Sequence, residues 1–313
     1  MIRKSPYNNN NCSLGLKFTK DARTAWGNII GSLTSSLEVS ILLPSYIGRN
    51  DKEGSGVFDP VLDYNTEFEF YKLGESLEVD VDDFKAKIFS GNINVALVVH
   101  YFGFCRTDMG EIKRFCNEND IILVEDCAHA FHLGVESQLI GNYGDFSFYS
   151  VHKYLATNSG GVLKVNNETH PLDKIECDKK IELSDLEIYS NSDLNEISNI
   201  RRMNFKLYAK LLSTCHDIEV MYELTSMDMP QTFPIRVKIG LREKLYYFLL
   251  EKGMPTIALY YRLIEEIDLE KYPLSCDISY EILNLPVHQD ISEEDVVKLC
   301  HEVIEFFEER VGL

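Results

Sequence analysis

The stretch that most constrains this chain runs from residue 121 to 165: IILVEDCAHAFHLGVESQLIGNYGDFSFYSVHKYLATNSGGVLKV. Residues 121–124 are a four-residue apolar run, too short for a helix and flanked by polar residues. That is the pattern of a strand buried on both faces, as in a parallel sheet. The end of this strand delivers Glu125 and Asp126, and ligands of open α/β sheets collect at the carboxyl ends of strands. A second strand is expected over 145–151 with Lys153 directly after it, and Gly160 and Gly161 open a third apolar run. A carboxylate ending one strand, an amine following another and a glycine pair beside them anchor the rest.

Upstream, residues 39–43, 68–73 and 95–99 read as strands, and 80–89 and 109–117 as helices. Strands alternating with helices make this half α/β with a largely parallel sheet. Asp21 is placed to cap a helix running through Ala22, Trp26, Ile29, Ile30 and Leu33. The cap is either an ordinary helix start or a helix N-terminus offering N–H groups to a phosphate. Residues 166–198 are polar and acidic with widely spaced apolar residues, which reads as a connection between domains. Beyond it come a helix at 200–212, a strand at 233–237, a helix at 241–251 stopped by Gly253 and Pro255, and an apolar segment at 282–287. Ser292 opens a final helix with Asp295 in a capping-box position. The expected organisation is a flexible N-terminus (1–17), a large domain (18–165), a connection (166–199) and a small α+β domain (200–313), which 313 residues can support.

A net charge of −19 argues against binding nucleic acid or acidic membranes through a general field, while leaving room for a small anion held by local donors. The eight cysteines include no CxxC pair and read as reduced. No run has membrane-spanning length or the character of a signal peptide, so a soluble cytoplasmic protein is expected.

Taken alone, Asp126 is a helix cap and Lys153 a solvated lysine. Together they suit pyridoxal phosphate, which needs an amine for a Schiff base and a carboxylate beside its pyridine nitrogen. The anionic acid favours the protonated ring nitrogen. His129, about one helical turn after Asp126, either faces the same pocket or is a buried structural histidine. A competing constellation is Cys127, His129 and His132 as zinc ligands of a hydrolase, for which no fourth ligand stands at a recognisable spacing.

These residues resemble the DegT/StrS sugar aminotransferase family. The matching pieces are Val99-His100-Tyr101-Phe102-Gly103, Val124-Glu125-Asp126-Cys127-Ala128-His129-Ala130, Gly144-Asp145, and Lys153 followed by Gly160-Gly161. Phe233-Pro234-Ile235, Leu250-Glu251-Lys252-Gly253 and Leu285-Pro286-Val287-His288 resemble its small domain, so the likeness runs from about residue 18 to the end. The resemblance implies a fold-type-I pyridoxal-phosphate transferase, with a seven-stranded, mostly parallel large domain and a small α+β domain. It implies amino transfer from glutamate to a keto group of a nucleotide-linked sugar, for polysaccharide or glycan biosynthesis, by a homodimer.

By position, Lys153 would form the Schiff base, Asp126 would face the ring nitrogen and His129 the ring oxygen. A serine before the lysine would bind phosphate: Ser150 by its distance from Gly144-Asp145, Ser147 by its Phe-Ser-Phe context. Ala22 and Arg23 would offer backbone N–H groups to the phosphate, and Tyr46 would cover the other ring face or simply pack at a strand end. The family's Ser-Gly-Thr phosphate loop is replaced here by Asp21-Ala22-Arg23-Thr24, and its Asn-Tyr-Arg segment has no counterpart within 165–200. His152 beside Lys153 keeps a sugar dehydratase in view, and the altered loop a non-catalytic homologue. No metal is expected.

Overall fold

A computed structural model describes residues 16–131, 140–167, 169, 175, 180–238, 240–254 and 256–311, with side chains to residue 308. His132, Pro255 and all but the last two residues of the expected flexible N-terminus lie outside the described residues. The larger sheet has seven strands: β1 (Leu16–Thr19), β2 (Ser40–Pro44), β3 (Glu67–Tyr71), β4 (Val95–Val99), β5 (Ile122–Cys127), β6 (Phe146–Ser150) and β7 (Gly161–Val165). Their spatial order is β1-β7-β6-β5-β4-β2-β3. The five strands from β3 to β6 run parallel, and β7 and β1 close one side antiparallel. Every residue of β4 (VALVV) is buried, as a strand covered on both faces requires. The fold is therefore α/β with a mostly parallel seven-stranded sheet.

Helices α1 (Ala22–Thr34), α2 (Asp59–Asp63), α3 (Val81–Ser90) and α4 (Met109–Glu118) connect these strands. Asp21 caps α1 by accepting the Thr24 N–H at 2.7 Å. Asp80 and Asp108 cap α3 and α4 in the same way. In α1, Ala22, Ala25, Trp26, Ile29, Ile30 and Leu33 form one buried stripe. Trp26 stacks on Phe148 of β6 with ring centroids 5.7 Å apart. That contact seats the start of α1 beside the carboxyl end of β6.

The second sheet is antiparallel, in the order β10 (Ile282–Pro286), β9 (Thr232–Val237), β8 (Ile218–Val220). It is accompanied by α5 (Leu183–Asn191), α6 (Leu194–Leu211), α7 (Arg242–Glu251), α8 (Pro273–Glu281) and α9 (Glu293–Val311). The box opening α9 is reciprocal: the Asp295 N–H donates to Ser292 Oγ at 3.1 Å, and the Ser292 N–H donates to Asp295 Oδ2 at 3.0 Å.

The acidic stretch expected to be a connection holds α5 and the first turn of α6 in its second half. Leu183 and Ile188 of α5 point to solvent, so there is no buried stripe to reveal the helix. It is anchored by Tyr189, packed against Phe18 and Phe131 with ring centroids 5.4 and 6.0 Å apart, and by buried Asp185, which accepts from the Ser159 N–H at 2.8 Å and from Ser159 Oγ at 2.6 Å. Helix α6 starts six residues before the expected position because Asp193 caps it.

Candidate active site

Parallel pairing sets Asp126 opposite Phe148, and antiparallel pairing sets Ser150 opposite Gly161. The ends of β5 and β6 and the start of β7 therefore share one edge of the sheet. A cleft of about 1280 Å³ opens over this edge, walled on the far side by residues 256–261 of the second half. Asp126, Ala128, His129, Ser150, Lys153, Ala22 and Arg23 all line it.

Lys153 stands on a short turn after β6, half-buried, and its amine has no hydrogen-bond partner among the described residues. Burial lowers that amine to about 8, against the opposing pull of Asp126 and Glu53. Asp126 is only 3% exposed. Burial raises its carboxyl to about 6, although the Ala128 N–H (2.8 Å to Oδ1) and Lys153 both favour the charged form. His129 lies between Phe102 and Tyr260, roughly parallel to both rings. Burial, with Lys153 nearby, holds its imidazole well below the usual range, hence neutral, and its Nδ1 is buried without a partner.

Ser150 is on the cleft wall, with Oγ 3.2 Å from Nδ1 of the exposed His152. Ser147 faces elsewhere and donates to the Gly141 carbonyl oxygen at 2.9 Å. Asp21 engages Thr24, and the N–H groups of Ala22 and Arg23 have no acceptor among the described residues. The glycine pair makes this corner possible. A Cβ on Gly161 would lie 2.1 Å from the Asp21 carbonyl oxygen, and Gly160 (φ +128°) donates to the Lys20 carbonyl oxygen at 2.5 Å.

Tyr46, expected to cover a ring in the cleft, does not line it. It is fully buried, edge-on to Tyr101 and Tyr260; the aromatics that line the cleft are Phe148, Tyr246, Tyr247, Tyr260 and Tyr261, and of these Tyr260 is the one stacked beside His129. Cys127 and His129 do not form a common metal cluster either. The Cys127 thiol groups with His100 and Glu125, all within 4.8 Å. The Glu125 carboxylate is already occupied by His100 Nε2 (2.9 Å) and the N–H groups of Gly141, Tyr143 and Gly144 (2.9, 2.7 and 2.6 Å).

Two positions beside the site carry no signal of it in the sequence. Tyr260 is in a loop 131 residues from His129. Arg201, almost fully buried, lies over the Tyr154 ring (4.4 Å) and donates to the Gln231 and Lys153 carbonyl oxygens at 3.1 and 3.4 Å, tying α6 to the lysine turn. Such long-range contacts leave no local pattern.

The DegT/DnrJ/EryC1/StrS aminotransferase family model matches residues 73–177 and 191–304. GDP-perosamine synthase of Escherichia coli O157:H7 is 22% identical over 338 aligned positions, covering 94% of this chain and 89% of that protein. GDP-perosamine synthase of Vibrio cholerae is 24% identical, covering 75% and 72%. Among solved structures, Helicobacter pylori PseC, an aminotransferase involved in the biosynthesis of pseudoaminic acid, superposes with a TM-score of 0.76 at 14% identity, covering 94% of this chain and 87% of that one.

Proposed function

The chain belongs to the DegT/DnrJ/EryC1/StrS aminotransferase family, and on that premise we propose that it transfers the amino group of glutamate to a keto group of a nucleotide-linked sugar, with pyridoxal phosphate as cofactor, for glycan biosynthesis. The observation that carries this reading is an amine, Lys153, without a hydrogen-bond partner among the described residues, sharing one cleft with a buried acid, Asp126, and with N–H groups at the start of α1 that have no acceptor among those residues.

The residues present fit the cofactor. Ala22 and Arg23 N–H and Ser150 Oγ would hold its phosphate, helped by the positive end of α1. Asp126 would face the pyridine nitrogen, and a positive charge there would draw the carboxyl back below its present value of about 6. The unpartnered Nδ1 of His129 marks a buried polar atom awaiting a partner beside this site. When bound, pyridoxal phosphate supplies an electron sink for the carbon that loses its proton. Lys153 Nζ is the atom that would hold the cofactor's aldehyde carbon. Once freed by an incoming amine, it would carry the proton between carbon centres, a task suited to an amine at about 8.

The substrate class is supported by the mouth of the cleft. Lys20, Arg23, Arg49, Lys52, Lys153 and Arg242 line it beside the acids Asp21, Glu53, Asp126 and Glu243, so in a chain of net charge −19 the cleft carries a modest excess of cations that suits a phosphorylated ligand. We read the working form as a cytoplasmic homodimer, the commonest closed assembly; among the described residues no helix is long and apolar enough to cross a membrane.

An absorption spectrum with added pyridoxal phosphate tests the whole. A visible band bleached by glutamate is expected. The same band without a glutamate response would point to a dehydratase or a non-catalytic homologue, and no band would defeat the cofactor assignment.

A further inference from the structure

Tyr260 is held in place by three separate features. Its backbone is left-handed (φ +59°), a conformation that a bulky side chain rarely adopts and that clusters at ligand clamps. Gly48 makes room for the ring, since a Cβ there would lie 1.9 Å from Tyr260 Cδ1. The loop carrying it is also strapped to residues 47–51. The Ile264 N–H donates to the Ile47 carbonyl oxygen and the Arg49 N–H to the Arg262 carbonyl oxygen, each at 3.0 Å, and Arg262 and Arg49 pair with Asp51 and Glu265 at 2.9 and 3.3 Å.

The ring so placed faces the candidate site. It runs nearly parallel to His129 (5.5 Å between centroids, 23° between planes), with its hydroxyl 3.5 Å from His129 Nε2. The Asp126 charge acts on that hydroxyl, which burial also pushes well above the usual phenol range. Tyr46 and Tyr101 back it edge-on at 5.4 and 6.1 Å. Tyr46 is sealed inside the protein, whereas Tyr260 keeps part of its surface on the cleft. An aromatic needed only for packing would not require strained backbone, an opposing glycine and a strap to stay half open.

We propose that Tyr260, carried by the second half of the chain, is the aromatic wall on which the pyridine ring of the cofactor rests, with Gly48 present to admit it. This rests on the cleft being a pyridoxal-phosphate site. It makes cofactor affinity depend on docking of the strap, so both halves of the chain build one pocket.

The protein's single tryptophan, Trp26 on α1, reports binding without any turnover. Pyridoxal phosphate is titrated into cofactor-free protein while its fluorescence is followed. Tyr260→Ala is expected to weaken binding about tenfold, the scale of an aromatic stacking contact, and Tyr260→Phe to stay within about threefold. Gly48→Ala should weaken binding like Tyr260→Ala by expelling the ring, and the double variant should be no worse than either single one. Urea midpoints confirm that each variant is folded, and Tyr260→Leu, which keeps bulk without the ring, should match Tyr260→Ala. Unchanged or tighter binding by a folded Tyr260→Ala, or full additivity with Gly48→Ala, overturns the proposal while leaving the cofactor assignment intact. Absence of binding by the wild type overturns both.

Discussion

Replacing Asp126 by Asn should make the cofactor-free protein more stable while ruining its use of the cofactor. The acid lies almost wholly out of water, and burial lifts its carboxyl from 3.8 to about 6. A carboxyl whose folded-state value exceeds its unfolded one costs nothing below about pH 4; the penalty grows through the interval and is complete above pH 6. About two pKa units correspond to a ceiling of roughly 3 kcal/mol. That figure already includes the attraction of Lys153, and the net gain is smaller, about 1–2 kcal/mol, because burying the Asn amide carries a desolvation cost of its own. Asn keeps a side-chain oxygen for the Ala128 N–H, so that bond survives. Urea unfolding of cofactor-free wild type and Asp126→Asn measures the difference. The variant should lead at pH 7.5 and lose its lead as pH falls toward 4, and added pyridoxal phosphate should reverse the order at pH 7.5. A variant less stable than wild type at pH 7.5 without cofactor, at equal denaturant slope, would show that Asp126 carries no desolvation penalty and refute the reasoning.

Three further outcomes follow from the same geometry. Gly161→Ala should weaken pyridoxal phosphate binding and cost about 1–3 kcal/mol of stability by urea unfolding, because its Cβ would displace the Asp21 carbonyl that starts α1. Glu125→Gln should destabilise by about 3–5 kcal/mol, since it leaves buried His100 and three N–H groups around a neutral amide; an effect under 1 kcal/mol would contradict the buried-pair account. The rate at which cofactor-free protein takes up pyridoxal phosphate should rise with pH through about 8, where Lys153 loses its proton, and level off above; stopped-flow absorbance reads it, and a midpoint near 10 would argue against the depressed amine.

Much of this was legible because the information is local. The five buried residues of β4 appear as an uninterrupted apolar run, and Asp21, Asp80 and Ser292 announce helix starts three residues ahead of the N–H groups they serve. Asp126, His129 and Lys153 could be read from spacing around two adjacent strands. Helix α5 could not, since Leu183 and Ile188 face solvent and its hold on the fold is one aromatic, Tyr189, and one carboxylate, Asp185, reaching back to Ser159. Ser147 and Ser150 were separable only once their directions were known, because strand alternation puts them on opposite faces. Tyr46, at the end of β2, could be read as a cleft aromatic or as strand-end packing, and it is buried packing; Tyr260 lines the wall because a strap from the second half sets its ring against Gly48.

The central claim is that Lys153 is the residue that takes the cofactor. Borohydride reduction of the protein after loading with pyridoxal phosphate, followed by peptide mass spectrometry, asks this directly. The account predicts a single cofactor adduct on the peptide carrying Lys153, and its loss from a folded Lys153→Ala variant. A principal adduct on any other lysine, or an equal yield from that variant, would contradict it.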